Sequence, residues 1–263
     1  MPHFETSSGV KLYYETHGQG QPLIFIHPPL LGHVIFKYQK MLSEKYQVIL
    51  YDCRGHGQST YQKDGKVIED HTLDLYELVN YLNLKKPVII GYSNAGFIAM
   101  NYALHYPEQI GALILSGGYP EVKTWPLAFE YYAGIWLMKR RYKHFLSRLL
   151  AKTHKITDED EALIYRYSMK ADIEAVLELY QAGVHYTVMN ELEQLKEIPS
   201  LLIYGTLSQH IFKHKTYFEN RMNHLDVLKI SKATHQIPTR FHKPFNSAID
   251  QFLSRRKKTP LID

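Results

Sequence analysis

One serine of this chain stands in a setting that can make its hydroxyl reactive. Residues 91–96 read Gly-Tyr-Ser-Asn-Ala-Gly, between a short apolar run at 87–90 and an apolar-periodic stretch at 97–106. Small residues around a serine allow a tight strand-to-helix turn that exposes Oγ at the carboxyl edge of a sheet. Ser93 is therefore the candidate nucleophile, and the backbone N–H of Asn94 is a candidate donor to a developing oxyanion.

A serine hydroxyl is a poor nucleophile at neutral pH and needs a neighbouring base. Among the fifteen histidines, His235 fits this role best, because it follows the strand-like run 227–230 and precedes a C-terminal helix. This order predicts a loop at the carboxyl edge of the sheet, the same edge as Ser93. The alternative is an ordinary loop histidine without a catalytic role.

The elements that must position these residues alternate between strands and helices. Helical patterns separate short apolar runs at 23–26, 48–51, 88–90, 112–115 and 201–204. Such alternation indicates a buried, parallel sheet. The earlier stretch 11–15 is typical of an antiparallel edge strand. We therefore predict an α/β protein with a mostly parallel central sheet and helices on both faces.

The alternation stops between about residues 121 and 197, where the chain becomes helical and rich in aromatic residues. We predict an inserted helical cap over 121–197 and a core made of 1–120 and 198–263. Within the cap, Thr157 is predicted as a helix N-cap because acidic residues follow it in the first turn. Most of the aromatic rings are expected to pack internally, and about a third of them to line a pocket.

Composition and charge narrow the functional classes. The chain has 263 residues, 45% of them hydrophobic, which suffices for one main core. Its 31 Lys and Arg against 26 Asp and Glu give a net charge of +5, a mixed surface that indicates no nucleic-acid partner. The basic runs 139–143 and 255–258 are interpreted as solvated helix ends, with anionic lipid or an acidic partner as the alternative.

Neither a disulfide nor a cofactor is expected. Cys53 is the single cysteine and is interpreted as a packing residue. Residues 91–96 form neither a phosphate loop nor a dinucleotide fingerprint, and His210 and His214 lack the Glu partner of a zinc protease motif, so we predict no metal. Without an apolar signal core or a run of spanning length, a cytoplasmic location and no stable membrane insertion are expected.

Outside the predicted cap, most of the chain resembles the α/β-hydrolase fold superfamily. Residues 25–29 read Phe-Ile-His-Pro-Pro, similar to the family's His-Gly loop, and residues 51–59 are similar to its Asp-x-Arg-Gly-x-Gly-x-Ser segment. Ser93 matches the elbow nucleophile and His235 the late catalytic histidine. The resemblance implies that Asp52 and Arg54 hold a loop in place and take no part in the reaction.

The acid of the family's catalytic triad is missing from its usual place. The family commonly has Gly-x-x-Asp after the seventh strand, but residues 205–208 read Gly-Thr-Leu-Ser. Ser208 cannot stabilise an imidazolium as a charge does, although it can accept a hydrogen bond from the histidine. Glu121 is the nearest alternative, after the sixth strand, and Asp226 and Asp172 are weaker candidates.

The oxyanion hole also departs from the family pattern. Its second donor usually lies in the loop after His27, yet Pro28 and Pro29 have no N–H to give. Leu30 can donate if the loop is reshaped, or a side chain of the cap can substitute. Each such donor is often worth about 3 kcal/mol of transition-state stabilisation.

These residues predict a serine hydrolase of a small, largely apolar ester, lactone or related carbonyl substrate. Ser93 would attack, His235 would accept and return the proton, and Asn94 would stabilise the oxyanion. The alternative is a non-catalytic or weakly catalytic protein of this fold that senses a small molecule or binds a partner protein. The resemblance also extends to carbon–carbon bond hydrolases, lyases and perhydrolases, and the fold does not choose among them. The oligomeric state and the natural substrate stay open.

Overall fold

The computed structural model of the protein describes residues 2–63 and 65–257. Its strands are β1 His3–Glu5, β2 Lys11–His17, β3 Pro22–Ile26, β4 Gln47–Tyr51, β5 Val88–Tyr92, β6 Ala112–Ser116, β7 Ser200–Gly205 and β8 Leu225–Ile230. All of the predicted strands are therefore present. Residues 258–263, which end the predicted core and include the last lysine of the basic run 255–258, lie outside the described residues.

Within residues 2–63 and 65–257, ten α-helices accompany the strands. They are α1 Val67–Tyr81, α2 Gly96–His105, α3 Trp125–Lys139, α4 Lys143–His154, α5 Asp158–Ser168, α6 Ile173–His185, α7 Gln209–Phe212, α8 Lys215–Glu219, α9 Ile237–Arg240 and α10 His242–Lys257. Short 3₁₀ helices occur at His33–Glu44, Ser93–Ala95, Pro107–Gln109 and Leu192–Leu195. In the described part of the chain, no helix combines the length and the apolar character needed to cross a membrane.

The eight strands form one sheet in the order β1-β2-β4-β3-β5-β6-β7-β8. Strand β2 pairs antiparallel with β1 and β4, and all later neighbours are parallel. Every residue of β3, β5, β6 and β7 is buried, as expected for parallel strands covered on both faces. The predicted α/β-hydrolase fold, a mostly parallel sheet between helices, is confirmed.

Two apolar layers cover the sheet. One face packs against α1 and α2, with Leu75 and Phe97 among its buried residues. The other face packs against the 3₁₀ helix His33–Glu44 and α10, through Phe36 and Phe245. Because both faces are filled, the carboxyl ends of the parallel strands are the edge at which the loops can form a site.

The segment between β6 and β7 contains the four helices α3 to α6. Thr157 is the N-cap of α5, and its side chain and that of Asp160 form a reciprocal capping box, as predicted. Asp172, one of the weaker candidates for the acid, caps α6 instead, with its carboxylate accepting from the backbone N–H of Glu174 at 2.8 Å. The boundaries of the cap at 121 and 197 stay a prediction.

The expectation that most cap aromatics pack internally is wrong. Six of the eleven are exposed, namely Trp125, Phe129, Tyr132, Trp136, Tyr142 and Phe145. They lie on or beside α3 and α4, whose opposite faces are buried. Sequence alone does not separate these two apolar faces, because a helix that is apolar on both sides has no periodic contrast to read.

Candidate active site

Ser93 lies at the sharp turn between β5 and α2. Its φ of 56° is in the left-handed region, which a residue with a side chain occupies at a cost. The turn is tight on its inner side, since a Cβ on Gly91 would come within 2.8 Å of the Ala95 carbonyl oxygen. This strained backbone turns Oγ out of the sheet edge, as the elbow pattern predicts.

His235 lies in the loop between β8 and α9, and its ring faces Ser93. The distance between His235 Nε2 and Ser93 Oγ is 2.8 Å, which is a hydrogen bond. The ring rests on Gly117, where an added Cβ would be 2.5 Å from Cε1 and 2.6 Å from Nδ1. Only a glycine at position 117 leaves room for the ring in this orientation.

The surroundings of His235 favour the neutral imidazole. Burial lowers the pKa of His235, and with the contributions of the nearby His154 and His210 the pKa is about 3. Tyr92 connects two of these groups, because its hydroxyl lies 3.0 Å from His154 Nε2 and 3.2 Å from the His235 carbonyl oxygen. A neutral His235 that accepts the Ser93 proton is the protonation state a general base requires.

None of the candidate acids contacts His235. Glu121 instead forms an ion pair with Lys123 at 2.8 Å and accepts a hydrogen bond from Thr187 at 3.2 Å. Asp226 pairs with Arg255 at 3.0 Å. Across residues 2–63 and 65–257, no hydrogen bond or ion pair joins a carboxylate to the His235 ring. The serine and histidine thus form a pair without an acid.

The turn that would carry the family's acid nevertheless lies against the His235 loop. The backbone N–H of Leu207 donates to the Ala233 carbonyl oxygen at 2.9 Å, and Gly205 packs against Ala233 and Thr234. Ser208, at the start of α7, has a buried side chain. The backbone of this turn is thus positioned to present a third catalytic group to His235. The side chain at this position, Ser208, carries no charge.

Neutral hydroxyl and amide groups fill the other side of the elbow. The Asn94 amide nitrogen Nδ2 donates to the Tyr131 hydroxyl at 2.8 Å, and the Tyr131 and Tyr119 hydroxyls are 2.6 Å apart. Burial raises the pKa of Tyr119, and its interactions with Tyr131 and Ser93 partly oppose the rise, so the phenol is neutral. Either of the two tyrosine hydroxyls can donate to the other, and when Tyr131 donates, the Tyr119 proton is available to a group in the pocket.

The loop after β3 is shaped by a neutral histidine. His27 Nε2 accepts from the Cys53 N–H at 2.9 Å, and Nδ1 donates to the Pro28 carbonyl oxygen at 2.9 Å. Burial lowers the pKa of His27 to about 3, consistent with that tautomer. Leu30 has a left-handed φ of 76°, so the loop is reshaped beyond the two prolines.

A cavity of about 390 Å³ lies over Ser93, Asn94 and His235, between the sheet edge and the cap helices. Its walls are largely apolar and aromatic, and α3, α4 and α6 contribute Tyr131, Leu137, Leu146, Leu150 and Tyr180. The expectation that about a third of the cap aromatics line a pocket agrees with the three that do, Phe129, Tyr131 and Tyr180. The cavity suits a small, largely apolar molecule.

Asp52 belongs to a separate buried network. Its carboxylate accepts from the backbone N–H of His33 at 2.9 Å, from His33 Nδ1 at 2.9 Å and from the Tyr167 hydroxyl of α5 at 2.8 Å. Arg54 meets Asp74 with two hydrogen bonds of 2.7 and 2.8 Å. Both residues therefore fix the loop after β4, as the resemblance implied.

His210 and His214 have different surroundings. His210 Nε2 lies 3.0 Å from Glu130 of α3. His214 is buried between Tyr119 and Tyr217, and neither of its ring nitrogens has a hydrogen-bond partner among the described residues. Within those residues, no three His, Cys, Asp or Glu side chains are grouped as they would need to be to hold a metal ion.

The sheet order and the sharp turn between β5 and α2 are those of an α/β hydrolase. The family model for the alpha/beta hydrolase fold matches residues 21–237, and the chain belongs to this family. Family membership confirms the resemblance drawn from residues 25–29, 51–59 and 91–96.

Individual relatives agree with this assignment. The chain is 33% identical over 119 residues to the AB hydrolase superfamily protein YisY of Bacillus subtilis (strain 168), which is 44% of each chain. It is 32% identical over 125 residues to the non-heme chloroperoxidase CPO-A1 of Kitasatospora aureofaciens, 46% of each chain. The chain thus spans less than half the length of these curated relatives. The esterase EaEST from Exiguobacterium antarcticum shares the fold, with a TM-score of 0.86, 20% identity and coverage of 96% and 98% of the two chains.

Proposed function

We propose that this protein is a serine hydrolase of small, largely apolar esters, lactones or related carbonyl compounds. The observation that carries the proposal is the 2.8 Å hydrogen bond between Ser93 Oγ and His235 Nε2 at the base of an apolar cavity of about 390 Å³. Catalysis of acyl transfer needs a nucleophile within hydrogen-bond reach of its base and space for the acyl group beside them.

In this mechanism Ser93 Oγ attacks the substrate carbonyl while His235 Nε2 takes its proton. The tetrahedral intermediate collapses, the bond to the leaving alcohol breaks, and the alcohol leaves with the proton held at Nε2. Water then attacks the acyl-enzyme, passes a proton to Nε2 in turn, and releases the carboxylic acid and a free Ser93 hydroxyl. Each half begins with the neutral imidazole and passes through the imidazolium, which returns its proton to the leaving group or to Ser93.

The oxyanion of that intermediate needs at least two donors. We assign the first to the Asn94 backbone N–H, directly after the nucleophile. Pro28 and Pro29 cannot supply the second, and we assign it to the Tyr119 hydroxyl, which can donate to the oxyanion while it accepts from Tyr131. A neutral phenol in a dry site is an effective donor to a developing negative charge.

One observation favours a second candidate, a weakly catalytic protein that senses a small molecule in the same cavity. Within the described residues His235 has no carboxylate partner, and replacing the acid of a triad by its amide costs about 10⁴-fold in turnover. We place hydrolysis first because the strained Ser93 backbone and the pocket beside it serve attack on a carbonyl better than simple binding.

A fluorophosphonate probe separates the two candidates. We expect stoichiometric labelling of the wild type, no labelling of Ser93→Ala and at least about 10³-fold slower labelling of His235→Ala, because the serine loses its base. Ser247→Ala, which removes an exposed hydroxyl from α10, serves as the matched control and should label like the wild type. Turnover of p-nitrophenyl butyrate should follow the labelling. An unlabelled wild type with tight ligand binding would favour the sensor.

A further inference from the structure

The exposed face of α3 carries an aromatic stripe. Trp125, Phe129, Tyr132 and Trp136 follow the spacing i, i+4, i+7, i+11, so they lie within about 60° of the helix circumference. All four are exposed, and Trp125 is 78% and Trp136 53% accessible. The opposite face of the same helix is buried. Four exposed aromatic rings on one side of a helix form an apolar patch of the kind found at interaction surfaces.

The neighbouring helix α4 extends the patch. Phe145 and Leu149 are one helical turn apart, and they are 60% and 46% exposed. Phe129 and Leu149 also line the cavity over Ser93. The exposed apolar surface is therefore continuous with the mouth of the pocket.

Positive charge surrounds this surface. Residues 123–155 contain eight Lys and Arg and a single acid, Glu130, whereas the whole chain has a net charge of only +5. Five of these cations, Lys139, Arg140, Arg141, Arg148 and Lys152, are exposed, and none has an acidic partner among the residues described. The remainder of the chain is slightly acidic, so the cationic character is concentrated on α3 and α4.

One of these cations occupies a strained position. Arg141 has a left-handed φ of 59° just after the end of α3, where glycine is the usual residue. Its N–H donates to the Met138 carbonyl oxygen at 2.9 Å, and the N–H of Tyr142 donates to that of Leu137 at 2.8 Å, which completes a helix-ending motif. A cation in place of the less costly glycine is consistent with a role for its side chain.

From this arrangement we infer that the α3–α4 surface binds an anionic lipid bilayer. The aromatic stripe would enter the interfacial region, where Trp and Tyr rings are favoured, and the flanking cations would contact the lipid headgroups. A bilayer is the single occupant we propose, because it offers an apolar region for the rings and negative headgroups for the five exposed cations. Surface binding needs no spanning helix.

The orientation has a consequence for substrate entry, which rests on the proposed function. With Phe129 and Leu149 against the bilayer, the mouth of the cavity opens towards the acyl region of the lipid. The substrates would then be esters or lactones that partition into membranes. Binding to the bilayer is a separate property, and Ser93→Ala should bind vesicles like the wild type whether or not the protein hydrolyses esters.

Tryptophan fluorescence can measure the binding of this surface to a bilayer. Trp125 and Trp136 are its only tryptophans, and both lie on the aromatic stripe. Full-length protein is titrated with vesicles of 30% phosphatidylglycerol in phosphatidylcholine and with vesicles of pure phosphatidylcholine. We expect a blue shift of tryptophan emission and co-sedimentation with the anionic vesicles, weakened at high salt because the electrostatic part is screened.

Two sets of variants test the electrostatic and the apolar contributions to bilayer binding. Arg140→Gln/Arg141→Gln/Lys152→Gln should weaken binding about 100-fold, since each cation near an anionic surface contributes about fivefold. Its control is Lys85→Gln/Lys213→Gln/Lys243→Gln, which removes the same charge elsewhere. Tyr132→Ser/Phe145→Ser keeps both tryptophans and should weaken binding at least tenfold by the area lost, against Met41→Ser/Leu73→Ser as control.

Several outcomes would overturn the proposal. They are an unshifted emission spectrum with anionic vesicles, equal binding to both vesicle types, and equal losses in a variant and its control. A dimer in light scattering that Tyr132→Ser/Phe145→Ser converts to a monomer, without vesicle binding, would instead show that a second copy of the chain covers this surface.

Discussion

Two histidines lie in segments that follow parallel strands of the sheet, β3 and β8, and their surroundings differ in charge. His33 lies between carboxylates, with Nδ1 2.9 Å from Asp52 and Nε2 3.3 Å from Glu15. Burial by itself lowers the pKa of His33, but the hydrogen bonds to Asp52 and Glu15 raise it above its ordinary value. Among the described residues no carboxylate contacts the His235 ring, and burial lowers its pKa.

The difference explains which histidine can act as a base. The carboxylates of Asp52 and Glu15 favour the protonated form of His33, in which both ring nitrogens donate and neither offers a lone pair. His235 is neutral and can take a proton from Ser93, but no carboxylate stabilises the imidazolium that results. The chain thus places Asp52 and Glu15 against His33, where they fix a loop, and no carboxylate among the described residues contacts the His235 ring.

The largest effect, on the free energy of unfolding, is expected from removing a charge beside His33. Asp52→Asn should lower the free energy of unfolding by about 3 to 5 kcal/mol, because it leaves the buried His33 with one carboxylate in place of two. Chemical denaturation at pH 7 measures this. Asp158→Asn removes an exposed carboxylate and should change nothing measurable. If both variants are equally stable, the charged network does not hold the loop.

A variant that lacks the proposed second oxyanion donor tests the site around Ser93 and His235. Tyr119→Phe should lower kcat/KM about 10²-fold, as expected when one donor to the oxyanion is lost, with little change in the melting temperature. Tyr180→Phe, which removes a hydroxyl from the same cavity, is the control and should retain most of the activity. Equal activity of Tyr119→Phe and the wild type would remove Tyr119 from the mechanism.

The two histidines should also give opposite responses to pH. The folded-state pKa of His235, about 3, is below its unfolded value of about 6.5, so the unfolded chain binds more protons between these values and stability falls as the pH decreases through that window. At pH 5 this costs about 2 kcal/mol, and His235→Gln should recover most of it.

Unfolding free energies measured between pH 5 and pH 8 test this expectation, with the exposed His144→Gln as control. The raised pKa of His33 acts in the other direction, since its stabilising charge is complete below pH 6.5 and is lost only as the pH rises through the folded value. An identical pH dependence in His235→Gln and the wild type would contradict the neutral, buried state of His235.

The smallest effect is expected from giving His235 a carboxylate partner, which His33 already has. Ser208→Asp puts a carboxylate on the turn that packs against the His235 loop. We expect about a tenfold rise in kcat/KM, a small part of the roughly 10⁴-fold that an optimised acid provides. The pH profile should also shift, because a nearby negative charge raises the histidine pKa. Ser208→Asn is the uncharged control, and a gain in both variants would argue against a charge effect.

The sequence determined the alternation of strands and helices, the elbow at Ser93 and the family. Those features are local, since apolar runs, glycine spacing and a capping residue such as Thr157 act over a few neighbouring positions. It also indicated His235, because the order of elements places certain loops at one edge of a parallel sheet.

Only the tertiary structure decided what surrounds these residues. Glu121 follows the sixth strand, as the hypothesis required, yet its partners Lys123 and Thr187 come from the loop and the cap. The contact of Tyr119 with Tyr131, and the exposure of the aromatic side of α3, also depend on how α3 to α6 pack. Spacing along the chain cannot supply this, because a side chain's direction and partners depend on segments far away in sequence.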